Sequence, residues 1–363
     1  MKQSPILVTG GAGFIGSNFV LEWMAEGLGP VVVLDKLTYA GNRRSLEAGE
    51  GRPDYRFVRG DINDAALVQK LFSDHRPRAI VHLAAESHVD RSILGPEAFV
   101  DTNIRGTMVL LMEAERYFAG LAGAEREQFR FLHVSTDEVY GDLGAKAPAF
   151  DETAGYTPSS PYAASKAAAD HLVRAWQRTH GLPCVITNCS NNYGPRQFPE
   201  KLVPLVVLRA LAGETIPIYG DGQQVRDWLH VSDHCRGLRL ALERGRVGET
   251  YNLGGGNQPR NRELAERICA LLDELVPQSK FAPHGSLIRL VEDRPGHDRR
   301  YALDTRKAER ELEWHPMISF EDGMRSTVKW YLENRAWVES VRTGEYRRWM
   351  DANYSERMAG AGI

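Results

Sequence analysis

An α/β fold, with a doubly wound parallel sheet and a smaller C-terminal α/β substrate domain, is the architecture this sequence predicts. Short apolar runs alternate with amphipathic helical segments through the first half. A turn with spaced glycines links the first run to the first helix. The second half mixes short strands with helices and contains no repeat or low-complexity tract. The apolar runs Ile6–Thr9, Val31–Asp35, Tyr55–Arg59, Ala79–Ala85, Phe129–Ser135 and Cys184–Cys189 are rich in Val, Ile, Leu and Phe and read as buried strands. Helical patterns cover Phe14–Ala25, Asp64–Asp74, Glu97–Phe118 and Pro161–His180. Such alternation implies right-handed crossovers, a mostly parallel sheet and helices on both of its faces. Further on, strands are expected at Ile216–Tyr219, Thr250–Leu253 and Leu287–Val291. The helices between them are expected near Lys201–Ala212, Asp233–Glu243, Arg262–Leu275 and Phe320–Asn334. The expected division is 1–190, with segments near 228–256 joining that unit, and 191–363 for most of the second. The long loops Gly41–Asp54 and Gly141–Ser160 are of the kind that carries function.

Composition narrows the classes of function. The 363 residues hold 45 basic and 48 acidic side chains, a formal charge of −3. A nucleic-acid protein usually carries a strongly basic face, which this balance does not suggest. Nor does it suggest a polybasic membrane anchor. Cys184, Cys189, Cys235 and Cys269 form no C-x-x-C pair, and the eleven histidines show no H-E-x-x-H spacing, so neither a disulfide framework nor a metal site is expected. Met1 to Gly16 lacks a secretory pattern, and no run of about 20 apolar residues is present. The expected location is cytoplasmic.

Thr9-Gly10-Gly11-Ala12-Gly13-Phe14-Ile15-Gly16 places Gly10, Gly13 and Gly16 in a G-x-x-G-x-x-G spacing, directly after a strand and at the start of a helix. Helix N-terminal amides can face a pyrophosphate there, and glycines let the backbone approach it. Asp35 closes the next strand, where a carboxylate can accept hydrogen bonds from a ribose diol and repel a 2′-phosphate. Together these predict a Rossmann-type cofactor domain that takes NAD rather than NADP. Lys36 is a positive charge next to that acid. Asp61-Ile62, closing the third strand, suits an adenine contact, although Asp61 equally suits a helix start.

Ser160 and Pro161 read as the N-cap and first position of a helix. Tyr162 and Lys166 then lie i and i+4 on one helical face. An ammonium beside a phenol favours phenolate, so this pair suits a tyrosine base near neutral pH. Asp137 and Glu138 are adjacent just past the fifth strand, so their side chains should diverge toward two neighbouring atoms of a substrate. Arg226 in Val-Arg-Asp-Trp and Arg294 in Arg-Pro-Gly-His are candidates for gripping a diphosphate, which arginine forks suit.

With these residues in hand, the sequence resembles the extended short-chain dehydrogenase/reductase family, which pairs such a glycine loop with Y-x-x-x-K. Three more segments narrow the likeness to nucleotide-sugar 4,6-dehydratases within it: Leu83-Ala84-Ala85-Glu86-Ser87-His88-Val89-Asp90-Arg91-Ser92, Ser135-Thr136-Asp137-Glu138-Val139-Tyr140-Gly141, and Asp293 to Tyr301. The likeness covers nearly the whole chain and weakens past about Arg335. It implies a redox-neutral lyase acting on dTDP-glucose with NAD. Catalysis then falls to Thr136, Asp137, Glu138, Tyr162 and Lys166. Thr136 bonds the C4 oxygen, Tyr162 is the base at O4, Asp137 the acid at O6 and Glu138 the base at C5. The sequence alone leaves the order of the two acids open.

On the cofactor side the resemblance adds Phe14, Ile15, Leu37, Thr38, Leu83, Ala84, Ala85, Glu86, Thr102 and Asn192 to the loop glycines, Asp35, Lys36, Asp61 and Ile62. On the substrate side it adds Ser87, Asn191, Lys201, Leu202, Leu205, Pro217, Tyr219, Asn261 and His297 to the two arginines. It also implies a homodimer formed by the helices Glu97–Phe118 and Pro161–His180. Other readings stay open on the residues: a dehydratase for another nucleotide sugar, a C4 epimerase, or a non-catalytic NAD sensor. A sensor would usually lack the Tyr or the Lys; both are present here.

Overall fold

The structure is a computed structural model, and it describes residues 4–342, 348–350, 353, 354 and 357. Eleven strands occur among them: β1 Ile6–Thr9, β2 Val31–Asp35, β3 Tyr55–Arg59, β4 Ala79–His82, β5 Arg130–Thr136, β6 Cys184–Cys189, β7 Asn191–Tyr193, β8 Ile216–Tyr219, β9 Trp228–His230, β10 Thr250–Leu253 and β11 Ile288–Val291. Seven form one parallel sheet in the order β10-β6-β5-β4-β1-β2-β3. The chain reverses direction across the sheet between β1 and β4, and a crevice opens at such a switch point beyond the strands' carboxyl ends.

Side-chain alternation divides the sheet between two cores. Ile6, Val8, Leu132 and Val134 face a core shared with Phe19, Trp23, Leu238 and Trp314. Leu7, Val32, Ile80 and Phe131 face the opposite core, with Leu110, Leu111 and Val173. Both faces are apolar, which is why these strands read as continuous hydrophobic runs. Residues 203–218 and 264–338 build a separate core around Val206, Ile216, Ile268, Phe320 and Val328. Beside it lie two small parallel pairs, β8 with β11 and β7 with β9.

Helix ends follow local chemistry. In the helix Pro161–His180, the Ser160 hydroxyl accepts from the Ala163 amide at 3.1 Å, Pro161 opens the first turn, and Gly181 ends it at φ 67°. Two expected elements differ from the structure. The run 79–85 is a strand only to His82, because residues 83–86 leave the sheet to form the lip of the crevice. The expected helix Glu97–Phe118 is one turn Glu97–Phe99, a π-helical stretch Val100–Gly106 and an α-helix Thr107–Ala119.

The reason lies in the side chains of the π-helical stretch. Asn103 takes both backbone groups of Glu86 (N–H to Oδ1 2.8 Å, Nδ2 to the carbonyl 2.9 Å) and donates to the Ser165 hydroxyl at 2.8 Å. The Thr107 hydroxyl donates to the Asn103 carbonyl at 2.6 Å. Wide turns of this kind often serve functional sites.

Candidate active site

The crevice at the switch point continues into a cavity. Its wall runs from Gly10, Gly13, Phe14, Ile15 and Gly16, past Asp35, Lys36, Thr38, Asp61 and Ile62, to Leu83, Ala84, Ala85, Glu86, Ser87 and Thr102. It ends at Thr136, Asp137, Glu138, Tyr162, Lys166, Asn191, Asn192 and Lys201. The glycine end is shaped by backbone. Gly10 sits at φ 70°, and a Cβ on Gly16 would lie 2.2 Å from the Gly10 carbonyl oxygen. Asp35 accepts from the Ala12 amide at 2.9 Å and from the Leu37 amide at 2.8 Å. Leu37 is therefore part of the loop that fixes Asp35 and does not itself line the cavity. Lys36 is paired with Asp61 at 3.0 Å, and both side chains are part-exposed.

The other end is shaped by buried charge. Asp137 and Glu138 open a short 3₁₀ turn, Asp137–Tyr140. Its geometry explains the Val-Tyr-Gly that follows. Val139 is fully buried, the Tyr140 hydroxyl donates to Asn252 at 2.9 Å, and Gly141 sits at φ 83° where a Cβ would meet the Thr157 carbonyl oxygen at 2.1 Å. The Thr136 hydroxyl accepts from the Glu138 amide and donates to Asp137 Oδ1, both at 3.3 Å. Asp137 Oδ2 is buried with no hydrogen-bond partner among the described residues.

The two acids occupy unlike surroundings. Burial, then the carboxyls of Glu138 and Asp227, push Asp137 well above the ordinary carboxylate range. Burial leaves Glu138 above the ordinary range as well, and Arg294, Arg226 and Lys201 limit the rise. Asp227 is itself raised to about 7, chiefly by burial.

Tyr162 lines the same cavity, but its phenol is pushed well up, first by burial and then by Glu138. The expected lowering by Lys166 is not what this arrangement gives. The Lys166 ammonium donates to the Val134 carbonyl at 2.8 Å, and burial lowers its own pKa.

Of the nucleotide-side residues, Ser87, Asn191 and Lys201 reach the cavity, and Lys201 Nζ donates to the Ser87 carbonyl at 2.7 Å. Leu202, Leu205, Pro217, Tyr219, Arg226, Asn261, Arg294 and His297 are not in its wall. Arg226 and Arg294 nevertheless act electrostatically on Glu138. Arg226 is held by the Asp298 carbonyl at 2.8 Å, while Arg294 Nε and Asn261 Oδ1 are buried with no hydrogen-bond partner among the described residues. His297 bonds Asp293 at 2.6 Å, and burial is the main cause that draws it down to about 4. Leu202 and Leu205 begin the helix Leu202–Ala212, and Leu205 packs with Phe198 and Met350.

Sequence reasoning missed several participants. Asp90 accepts from the Tyr219 hydroxyl at 2.8 Å and lies 3.7 Å from Arg294, joining two candidate ligands. Glu200, buried and raised to about 7, pairs with Arg91, whose guanidinium lies 3.8 Å from the Tyr39 ring centroid. Asp90 and Arg91 were visible in the Leu83–Ser92 segment, but without partners in space they carried no role. Nothing in the sequence signalled Asn103. Among the described residues, no cluster of three or more His, Cys, Asp or Glu could hold a metal.

The sequence family described as GDP-mannose 4,6 dehydratase matches residues 7–327. The chain belongs to this family. Within the GDP-mannose 4,6 dehydratase family, curated relatives are close in sequence. The dTDP-glucose 4,6-dehydratase of Xanthomonas campestris pv. campestris (strain B100) is 58% identical over 341 residues, 94% of this chain and 97% of the relative. The dTDP-glucose 4,6-dehydratase 1 of Escherichia coli (strain K12) is 54% identical over 360 residues, 97% of this chain and 99% of the relative. Among solved structures, DesIV of Streptomyces venezuelae, a dTDP-glucose 4,6-dehydratase with NAD bound, is 49% identical with TM-score 0.84, over 93% of this chain and 99% of that one. The UDP-glucose 4-epimerase of Thermotoga maritima, with UDP-glucose, is 33% identical with TM-score 0.78, over 91% of this chain and 99% of that one. The family thus spans the crevice, the acid turn and the Tyr-Lys helix alike.

Proposed function

We propose that this protein is an NAD-dependent dTDP-glucose 4,6-dehydratase, a lyase that converts dTDP-glucose into dTDP-4-keto-6-deoxyglucose and water. The observation that carries the reading is the unequal acid pair beside Tyr162: Asp137 among carboxyls, Glu138 facing Arg226, Arg294 and Lys201. Elimination needs a proton donor and a proton acceptor at adjacent carbons, and environments that push two carboxyls apart supply both roles. The names of the curated relatives support the nucleotide and the reaction.

The glycine cradle, the helix N-terminus at Phe14, Asp35 and the Lys36–Asp61 pair fit NAD. Bound there, NAD supplies a hydride acceptor for C4 and a hydride donor for C6. Tyr162 takes the O4 proton as the phenolate, a form that burial and Glu138 disfavour and that the positive charge NAD would bring favours, with Thr136 bonding the C4 oxygen. Lys166 sits one turn along the same helix and holds the ribose end of the cofactor site. Glu138, poised by its three cationic neighbours, takes the C5 proton made acidic by the 4-ketone and later returns it. Asp137, kept protonated by its surroundings, protonates the departing C6 oxygen. Arg226, Arg294, Asn261 and Lys201 hold the diphosphate and sugar; Pro217 and Tyr219 lie against the base.

The division at residue 190 fits this assignment. Strand β10 and residues 229–253 belong with the cofactor unit, as their place in its sheet and core supports. Exposed Leu94, Val100 and Met112, on or near the two expected dimer helices, support a homodimer. No described helix is long and apolar enough to cross a membrane, in keeping with a cytoplasmic enzyme of deoxysugar biosynthesis.

The test is purified protein incubated with dTDP-, UDP-, CDP- and GDP-glucose, followed by product mass. Loss of one water from dTDP-glucose is expected. An isomer of unchanged mass would make the protein an epimerase, and turnover of UDP-glucose alone would reassign the nucleotide.

A further inference from the structure

Asn192 stands in the cavity wall with its backbone pinned from two sides. It lies in β7, paired with Leu229 of β9, and its carbonyl accepts from Gln197 Nε2 at 2.8 Å. Its side-chain nitrogen donates to the Ser190 carbonyl at 2.9 Å. A carbonyl can only accept, so the amide cannot be turned the other way round. Asn192 Oδ1 is then the atom that faces His234 Nδ1, at 2.9 Å. That oxygen also can only accept, so Nδ1 is the ring nitrogen that carries the proton.

His234 is suited to this one bond. It lies in the helix Val231–Arg244 and is fully buried, and its Nε2 has no hydrogen-bond partner among the described residues. Burial draws it down to about 3, so the ring is neutral near pH 7 and has a single N–H to give. Its helix packs against the helix Phe14–Ala25, which opens at the glycine cradle, and Cys235 Sγ donates to the Ile15 carbonyl at 3.8 Å. Asn18 of the first helix donates to the Pro195 carbonyl at 2.9 Å. These contacts tie the segment around Asn192 to the cradle.

An amide nitrogen carries two protons. One goes to Ser190, and the other has no acceptor among the described residues, on a side chain that lines the cavity. We infer that His234 is a positioning residue for the cofactor: it locks the Asn192 amide so that its second N–H donates to an acceptor atom of bound NAD. The last side-chain bond of asparagine turns freely in broad wells, so the orientation needs a lock. An amide turned over would present its oxygen instead, which cannot bond the oxygens of a pyrophosphate or a carboxamide. The inference rests on the NAD reading above.

The experiment titrates full-length protein with NAD by calorimetry, and with dTDP at saturating NAD as a control. Wild type is compared with Asn192→Ala, His234→Leu, their double variant and His234→Asn. Asparagine at 234 places an amide N–H close to where the imidazole Nδ1–H stands. Asn192→Ala and His234→Leu are each expected to weaken NAD about two- to tenfold, the range for one neutral hydrogen bond. The double variant should bind no more weakly than the weaker single variant, because both changes remove the same bond. His234→Asn should restore NAD affinity to within about twofold of wild type, a smaller change than loss of the bond gives. The affinity for dTDP should stay level throughout.

Losses that add in the double variant would overturn the inference. So would His234→Asn binding NAD as weakly as His234→Leu, or a matching loss of dTDP affinity, which is the mark of general loosening. Should His234→Leu not fold, Asn192→Ala decides alone, since it leaves His234 in place: NAD affinity equal to wild type overturns the inference. Failure of wild type to bind NAD at all would instead overturn the NAD reading itself.

Discussion

The two ends of the cavity are built by different means. At the glycine end, shape is set by backbone: Gly10 in a left-handed conformation, Gly16 against the Gly10 carbonyl, Asp35 tied to two loop amides. At the acid end, shape matters less than charge: two adjacent carboxyls, Asp137 buried and Glu138 half-buried, are separated in acidity by what surrounds them. The first kind of site depends on spacing along the chain. The second depends on residues far away in sequence, such as Asp227, Arg226 and Arg294.

The contrast breaks if a change at one end is felt at the other. The largest effect is expected from Glu138→Gln, which should cut kcat by about 10²–10⁴-fold and stop solvent deuterium entering C5. Its NAD affinity, by calorimetric titration, should match wild type. Next is Gly16→Ala. The added Cβ would meet backbone at 2.2 Å, a clash that costs about 1–3 kcal/mol in a packed site. If the clash is relieved by shifting the cradle away from the cofactor, NAD affinity should fall roughly tenfold, at about 1.4 kcal/mol per decade, while the pH profile of kcat keeps its midpoints.

Asp227→Asn tests the acid end more finely. Asp137 must be protonated to act, so activity falls as pH rises through its pKa. The Asp227 carboxyl helps hold that pKa up. Removing the charge should therefore move the alkaline fall of kcat to lower pH, and an unmoved or rising midpoint would contradict the assignment of Asp137 as the acid. The smallest effect is expected from Lys36→Ala. The Lys36–Asp61 pair is more than one-third exposed at both side chains, where such pairs contribute about 0–1 kcal/mol. Melting should barely shift, whereas acceptance of NADP should not improve.

The same contrast explains what could be read from the chain. The glycine loop, Asp35 and the capped helix Pro161–His180 follow from local rules of turn and cap, and the structure keeps their boundaries. The closeness of Asp137 to Glu138 was equally legible, but not which of the two is the stronger acid, because that depends on residues brought in from the second half. The strands β7 and β9 have three residues each, too few for any periodicity to register. The π-helical stretch escaped notice because its apolar spacing looks like that of an ordinary helix; only the partners of Asn103 reveal why the turn widens.

That single asparagine has a mechanical consequence. It fastens the crevice lip at Glu86 to Ser165, whose hydroxyl donates in turn to the Tyr162 carbonyl at 2.7 Å. Lip and helix are thereby tied through one side chain, and the tie predicts that they open together rather than loosening separately. Amide hydrogen exchange at residues 84–87 and 163–166 should slow by a common factor when NAD is added, and Asn103→Ala should uncouple the two rates.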